Sequence, residues 1–260
     1  MKSYLYKIEC LTNLHVGSGD INFSIVDNEV EKDPVTGYPT INATGVKGAI
    51  RDYYESKGKS DTDLIFGSAG DSDTMKPGLF KFFNAEFLYR PMRTSGSVPY
   101  VQVTSCKAVN DYISKSKAFG FDLGVEKINE VTFGDFAFAT NDKRVNNVEG
   151  DKTNNSLTTD KDVETVLGLS EYAFAKSFDN YDLPVIARNS LDDNGISKNL
   201  WYEEFVPHGS AFYLIVLTPN DYGKERMLEV IEDGAIIQFG ANSSVGNGFC
   251  KLSFVKEGEC

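Results

Sequence analysis

The sequence predicts an α+β fold with a largely antiparallel sheet. Strand and helix patterns interleave irregularly along the 260 residues, and several strand patterns follow one another late in the chain. Hydrophobic residues make up 41% of the chain, which is enough to form a buried core. Neither an internal repeat nor a domain linker interrupts these patterns, so we expect a single domain over residues 1–260.

The first elements are a strand and a helix. Alternating apolar and polar residues predict a strand at residues 4–10, and the glycine-bearing loop 15–19 follows it. Asn42 or Thr44 is placed to cap the next element, a helix that Gly58 ends. The apolar residues of this helix recur at helical spacing: Val46, Ala49, Ile50 and Tyr53.

The remaining elements show the same two periodicities. Helical patterns occur at residues 104–119, 162–178 and 221–232. Strand patterns occur at residues 79–89, 130–140, 184–188, 199–206, 210–218 and 248–255.

Two segments differ from this regular background. The asparagine-rich residues 141–159 lack periodicity and almost lack large apolar side chains, which predicts an exposed insertion. Residues 183–206 form two extended halves around the turn signal Asp193-Asn194-Gly195, which predicts a β-hairpin that projects from the body.

Charge and composition limit the classes of function. The net charge is −12, whereas a protein that binds nucleic acid by itself is usually basic. A subunit with a local basic groove stays compatible, because residues 43–59 hold four cations against two carboxylates. Four cysteines without a CxxC, and only two histidines, predict reduced thiols and exclude a standard zinc site. No apolar run or signal pattern predicts a membrane partner or export, so we expect a cytoplasmic protein.

Two glycine-framed segments are candidates for contact with a polyanion. Residues 45–51 open the first helix, where free N–H groups combine with Lys47 and Arg51 on one face. A solvated helix face is the alternative interpretation. Residues 239–249 carry three glycines among small polar residues, so their amides could cradle phosphates. An ordinary Asn-Gly hairpin explains them equally well.

Two further candidates lie elsewhere in the chain. Trp201, beside Tyr202 in the predicted hairpin, could stack on bases or wedge between them, although such a pair also suits a hairpin core. Asp27 follows the first glycine loop, and on the residues alone it is more simply a turn former.

Taken in order, several segments resemble the RAMP superfamily of CRISPR proteins. Within it, they are most similar to the repeated backbone subunit of the type III-B (Cmr) effector complex. The resemblance covers about residues 4–252, without the insertion. The segments that carry it are LHVGSGD, IVDNEVEKDPVTGYPTINATGVKGAIR, YRPMRTSG, VQVTSC, LPVIARNSLDDNGISKNLWYEEFVPHGSAFY and IQFGANSSVGNGFCKL.

The resemblance implies a modified ferredoxin-like (RRM-like) palm with a β-hairpin thumb at residues 183–206. Copies of the chain would stack with other Cmr subunits as a helical filament on a guide CRISPR RNA. The thumb would interrupt the duplex that the guide forms with a target RNA. Because the aromatic signature of RRM domains is missing, loops and a basic face would hold the RNA.

The resemblance also implies an activity, an endoribonuclease that cuts target RNA with a divalent cation, Mg²⁺ or Mn²⁺. Asp27 would be the catalytic residue and a metal ligand, with His15, Glu203 and Glu204 as candidate helpers. The expected RNA-binding residues are Ser18, Gly19, Lys47, Arg51, Arg93, Arg188, Lys198, Asn242, Ser243, Ser244, Gly246 and Gly248.

Three other functions stay open at this point. The chain could be a binding-only scaffold of the same complex, with Asp27 inert. It could be a RAMP endonuclease that processes repeat RNA by itself, although two histidines are a small supply of acid–base groups. It could also be an α+β interaction protein that binds no RNA.

Overall fold

The computed structural model describes residues 1–19, 26–68, 76–93, 99–128, 166–167, 173–174 and 183–260. The insertion expected at residues 141–159 and the strand expected at 130–140 lie outside the described residues. So does most of the helix expected at 162–178. Residues 173 and 174 contradict that helix, because they pair as a strand with residues 103 and 104.

Helices and strands alternate irregularly along the described chain, as the sequence predicts. The strands are β1 (Lys2–Cys10), β2 (Thr40–Ile41), β3 (Lys81–Phe82), β4 (Ala85–Arg93), β5 (Tyr100–Thr104), β6 (Ala173–Phe174), β7 (Val185–Leu191), β8 (Ser197–Glu204), β9 (Ala211–Thr218), β10 (Ala235–Gln238) and β11 (Phe249–Glu259). The helices are α1 (Ala43–Ser56), α2 (Thr62–Phe66), α3 (Cys106–Ala118) and α4 (Lys224–Val230). No helix among these residues is long and apolar enough to cross a lipid bilayer.

One mixed sheet organises the body of the molecule. Among the described residues, it contains nine strands, and its main path runs β10-β11-β1-β9-β4-β5-β6. β2 joins β4 and β3 joins β9 beside this path. The ladders are antiparallel, apart from the parallel pair β5–β6. The expectation of an α+β fold with a largely antiparallel sheet is therefore confirmed.

Both faces of the sheet are buried, because helices cover each of them. Tyr4, Tyr6 and Ile8 of β1 point to the face that α1 and α4 cover, whereas Leu5 belongs to a second cluster. That second cluster includes Val109 from α3. Every residue of the central strand β9 is buried. A strand buried on both faces is apolar at successive positions, which explains the unbroken apolar run of β9.

Helix α1 forms where the sequence predicts it, but its capping differs. Val46 and Ile50 are fully buried on its apolar stripe. Asn42 occupies the N-cap position, yet its side chain makes no capping hydrogen bond. The side chain of Asn84 caps the helix instead, because its Oδ1 accepts the N–H of Ala43 at 2.8 Å. Asn84 precedes β4, so this cap also attaches the start of α1 to the sheet.

Hairpin β7–β8 is separate from the main sheet. The two strands form a two-stranded sheet of their own, and one isolated bridge joins the end of β8 to Asn28. Most of their residues are exposed, and burial begins only at Glu203 and Glu204. In the turn, Asp192 Oδ1 accepts the N–H groups of Asn194 and Ile196 at 2.9 Å each. A β-hairpin is therefore present within the predicted residues 183–206, and most of its residues are exposed.

The four cysteines are free thiols. Cys10 on β1 and Cys250 on β11 face each other, with 3.8 Å between their Sγ atoms. The hydrogen bond with Cys250, together with burial, raises the pKa of the Cys10 thiol well above its ordinary value. This pair therefore packs as small neutral side chains in the core.

Candidate active site and RNA interface

Asp27 lies against the base of the hairpin. Its segment runs parallel to the end of β8, where Asn28 N donates to Tyr202 O at 3.1 Å and Glu204 N donates to Asn28 O at 2.9 Å. The Asp27 side chain is exposed, and its Oδ2 accepts the N–H of Tyr202 at 2.8 Å. The position of this carboxylate is therefore set by the backbone of β8.

His15 contacts the same stretch of backbone from inside the protein. Its Nδ1 lies 2.7 Å from the carbonyl oxygen of Glu204, and its ring packs against Phe205 with centroids 5.5 Å apart. Because a carbonyl oxygen can only accept, Nδ1 is the donor in this hydrogen bond. Nε2 faces Gly17, where an added Cβ would lie 3.4 Å away. His15 is 5% exposed, so it contacts the hairpin base from the protein interior.

Glu203 is buried and has partners on both carboxylate oxygens. Oε1 accepts the indole N–H of Trp201 at 2.8 Å, and Oε2 accepts Nδ2 of Asn242 at 3.0 Å. Arg188 Nε lies 2.7 Å from Oε2, which makes an ion pair whose N–H direction does not satisfy hydrogen-bond geometry. The guanidinium of Arg188 also lies over the Phe205 ring, 5.6 Å from its centroid.

Glu204 is buried as well and binds the segment that follows Asp27. Its Oε2 accepts the N–H of Val30 at 3.1 Å, and Lys32 Nζ lies 2.9 Å from the same oxygen. Both glutamates at the hairpin base are therefore ion-paired, whereas Asp27 presents an exposed carboxylate beside them. The three residues predicted as catalytic groups meet at the same end of β8, but the side chains of both glutamates are engaged by other partners.

The glycine-rich loop before β11 packs onto the His15 loop. Ala241 N donates to His15 O at 2.8 Å, and a Cβ added to Gly240 would lie 2.2 Å from that oxygen. Gly248 is equally enclosed, because an added Cβ would lie 2.0 Å from Phe239 O. The close approach that the sequence suggested for a polyanion is thus made by the protein backbone itself. Ser243 and Ser244 open an exposed 3₁₀ turn in this loop.

The expected RNA-binding residues are distributed over several surfaces. Ser18 and Gly19 end the first loop, and Ser18 N donates to Glu29 O at 3.1 Å. Arg93 and Lys198 are exposed, at the end of β4 and on the hairpin. Lys47 is half-buried near the start of α1, one turn after Ala43.

Arg51 is held within the protein. Its guanidinium contacts Glu55 at 2.8 Å, Gly67 O at 2.9 Å and Asp63 at 3.1 Å. The hydrogen bond to Glu55 raises the pKa of Arg51 above its ordinary value. Arg51 therefore ties α1 to α2, and its predicted contact with phosphate would require exchange of these partners.

The sequence of this chain also matches a known protein family. The profile of the RAMP superfamily matches residues 7–251. The chain belongs to the RAMP superfamily. The CRISPR system Cmr endoribonuclease Cmr4 of Pyrococcus furiosus is 28% identical to it, over 97% of this chain and 96% of the relative.

Two solved structures share the RAMP fold of this chain. One is from the type III-B Cmr-beta complex bound to cognate target RNA, with a TM-score of 0.68 and 17% identity over 97% of this chain and 96% of that chain. The other is oligomeric Cmr4 from Pyrococcus furiosus, with a TM-score of 0.66 and 20% identity over 98% of this chain and 99% of that chain.

The metal-binding capacity of this RAMP site is limited. Among the described residues, no three His, Cys, Asp or Glu side chains cluster closely enough to enclose an ion. Mg²⁺, however, is commonly bound through one or two carboxylates together with substrate phosphates and water. Asp27 fits that mode as a single ligand, because its carboxylate is exposed and carries no ion pair among the described residues.

Two groups that hold the residues of this site were not predicted from the sequence. The first is the backbone N–H of Tyr202, which binds the carboxylate directly. The second is Lys32, which forms an ion pair with Glu204. A backbone donor leaves no trace in a residue pattern. Lys32 is 172 residues from Glu204 in the chain, so no local spacing could have indicated the pair.

Proposed function

We propose that this chain is a backbone subunit of a type III-B (Cmr) CRISPR complex, which binds guide RNA as a filament and cleaves the paired target RNA. Its partners are the guide CRISPR RNA, the target RNA, further copies of itself and other Cmr subunits. The observation that carries the proposal is the exposed Asp27 carboxylate at the hairpin base. The 28% identity to a Cmr endoribonuclease over nearly the whole chain supports it.

The architecture suits a palm and a thumb. The main sheet with its covering helices forms the modified ferredoxin-like palm, and hairpin β7–β8 forms the thumb. Its exposed side chains include Leu191 and Leu200, which are 59% and 54% exposed. Apolar side chains that enter a base step offset part of the free energy lost by unstacking. The thumb thus kinks the target strand next to Asp27.

The chemistry uses the nucleophile that RNA itself carries. In the kinked strand, a 2′-hydroxyl lies in line with the adjacent phosphate, and such alignment lowers the barrier by about 7 kcal/mol or more in favourable cases. Asp27 accepts the 2′-hydroxyl proton as a general base. The 2′-oxygen bonds to phosphorus, the bond to the 5′-oxygen breaks, and that oxygen takes a proton from water. The Tyr202 N–H keeps the carboxylate in place throughout.

A divalent cation, Mg²⁺ or Mn²⁺, belongs to this proposal. Asp27 would hold this cation, which would neutralise part of the charge that develops on the phosphate. The ion pairs of Glu203 with Arg188 and of Glu204 with Lys32 leave Asp27 as the carboxylate that would hold it.

The same ion pairs also favour a second candidate function, a binding-only scaffold. Glu203 and Glu204 are ion-paired, and His15 is buried, so among the described residues Asp27 has few free acid–base neighbours. In this alternative, the chain holds guide and target RNA without cutting. The two functions differ in one measurable property, guide-directed cleavage.

Reconstitution with RNA tests the proposed function. We expect several copies of the chain to co-assemble with one guide RNA, as counted by native mass spectrometry, and the complex to cut a complementary target at regular intervals. Replacement of residues 190–197 by a two-residue turn should remove the regular spacing, because the shortened hairpin no longer reaches between bases. Thermal unfolding of the shortened chain checks that the body remains folded. Assembly without any cleavage would support the scaffold, and an unaltered ladder would exclude the thumb as the wedge.

Lys47 provides a test of the guide-binding surface. Lys47→Ala should weaken RNA binding for every guide sequence and reduce the slope of log K against log salt by about one unit, because one phosphate contact is lost. Binding titrations at several salt concentrations measure this slope. Lys117→Ala is the matched control, since Lys117 is 73% exposed on α3 and pairs with Glu126 at 3.4 Å. A wild-type slope in Lys47→Ala would place the guide elsewhere.

A further inference from the structure

The geometry points to Glu203 and Asn242 as a positioning pair that joins the glycine-rich loop to the hairpin base and so fixes Asp27. The inference rests on the proposed function, because its consequence is read as cleavage. Glu203 is 6% exposed, and its carboxylate accepts hydrogen bonds from Trp201 Nε1 at 2.8 Å and Asn242 Nδ2 at 3.0 Å. It also forms an ion pair with Arg188, whose Nε lies 2.7 Å from Oε2. Because both oxygens of this buried carboxylate already have partners, Glu203 is suited to fixing the positions of the groups around it.

Asn242 has a conformation that needs support. Its φ is +65°, and it is the only non-glycine residue with a positive φ among the described residues. Asparagine tolerates this left-handed region better than most residues, but it still gains from an external hydrogen bond. The bond from Asn242 to Glu203 supplies one, and the neighbouring Ala241 N–H is bound by His15 O. The loop is thereby attached to both the hairpin and the His15 loop.

Glu203 connects this attachment to Asp27 through its neighbours in β8. The residue before it, Tyr202, binds Asp27 Oδ2 through its N–H. The residue after it, Glu204, binds His15 Nδ1 through its carbonyl oxygen. A shift of the backbone at residue 203 therefore displaces the groups that hold Asp27 and His15 together. Displacements of about 1 Å at a reacting group can cost about 100-fold in rate.

Exchanging the acid and the amide between residues 203 and 242 tests whether Glu203 positions the site or transfers a proton. In Asn242→Asp, two carboxylates face each other at the former hydrogen bond, and we expect cleavage to fall about tenfold or more. In the double variant Glu203→Gln/Asn242→Asp, the amide of Gln donates to the carboxylate of Asp, so the bond returns with reversed polarity. We expect the double variant to recover cleavage to within about threefold of wild type.

Trp201 gives a readout that does not depend on activity. It is the only tryptophan in the chain, and its indole donates to Glu203. In the RNA-free protein, Asn242→Asp should shift the tryptophan emission, and the double variant should return it toward the wild-type spectrum. Asn247→Asp is the matched control, because it adds a carboxylate to the same loop at a residue that is not among the hydrogen-bond partners of the Glu203 carboxylate. This control should keep the wild-type emission.

The outcomes are separable. Restored cleavage together with restored emission supports the positioning pair. A double variant that stays inactive although its emission returns would overturn the inference and assign Glu203 to proton transfer. Unchanged emission in Asn242→Asp would overturn the coupling between loop and hairpin. If the wild-type complex does not cleave, the proposed function fails, and emission alone still decides whether the two residues are coupled.

Discussion

Asp27→Ala should abolish guide-directed cleavage at every interval of the target, while guide and target binding stay within about twofold of wild type. In the proposed filament, each copy would contribute one such carboxylate, so every cut would depend on it. The side chain is exposed, and among the described residues its hydrogen bond is with Tyr202 N–H. Loss of that bond costs about 1 kcal/mol of folding stability, which is too little to unfold the chain.

Cleavage assays with labelled target, beside binding titrations on the same complexes, measure this effect. Asp27→Asn keeps the shape of the side chain and should be equally inactive, because an amide cannot accept the proton. Asp221→Asn is the matched control, since Asp221 is exposed in the turn after β9. Cleavage that survives in both Asp27 variants would leave the scaffold function. Wild-type activity in excess EDTA would remove the divalent cation from the proposal.

Gly248→Ala should destabilise the RNA-free chain by about 3 kcal/mol or more, because backbone strain and overpacking add. Gly248 has a φ of +83°, and an added Cβ would lie 2.0 Å from Phe239 O and 2.8 Å from Gln238 Nε2. Its N–H already donates to Asn13 O at 2.8 Å. We therefore expect any loss of RNA binding in this variant to follow from lost folding.

Gly246→Ala is the comparison that isolates the steric part. Gly246 has nearly the same φ, +82°, but nothing lies within 4 Å of an added Cβ. The substitution should cost about 1 kcal/mol, the ordinary penalty of a side chain in the left-handed region. Denaturant unfolding without RNA measures both variants. If Gly248→Ala keeps wild-type stability but loses guide binding, Gly248 acts on the RNA directly.

The sequence predicts the elements whose periodicity is local. Helix α1, helix α3 and the hairpin β7–β8 appear close to their expected residues, because apolar spacing and the Asp-Asn-Gly turn decide them within a short window. Features that depend on distant residues are missed. Asn84 caps α1 from outside the helix, and residues 173–174 form a strand through pairing with β5. Residues 141–159 lie outside the described residues, so the insertion stays a prediction.

For the candidate site as well, the sequence predicts residue types but not the contacts between distant residues. Asp27 came from a family resemblance, since its own neighbourhood indicated only a turn. The residue types at the hairpin base were also anticipated, but their pairing was not. Asn242 is 39 residues from Glu203, and only the folded chain brings the loop onto the strand. Whether a glutamate is a free base or half of an ion pair depends on such partners, and composition or spacing does not contain that information.

The pairing of β1 has a consequence for the order in which the protein can be completed during synthesis. Both neighbours of β1, the strands β9 and β11, lie beyond residue 210. Cys10 and Cys250, which face each other across one of these ladders, are 240 residues apart. While the chain is being translated, β1 is thus an unpaired strand that carries Tyr4, Leu5, Tyr6 and Ile8. β1 can pair on both sides only after β9 and β11 have been synthesised. Until then, its apolar side chains are open to aggregation unless other parts of the chain or chaperones cover them.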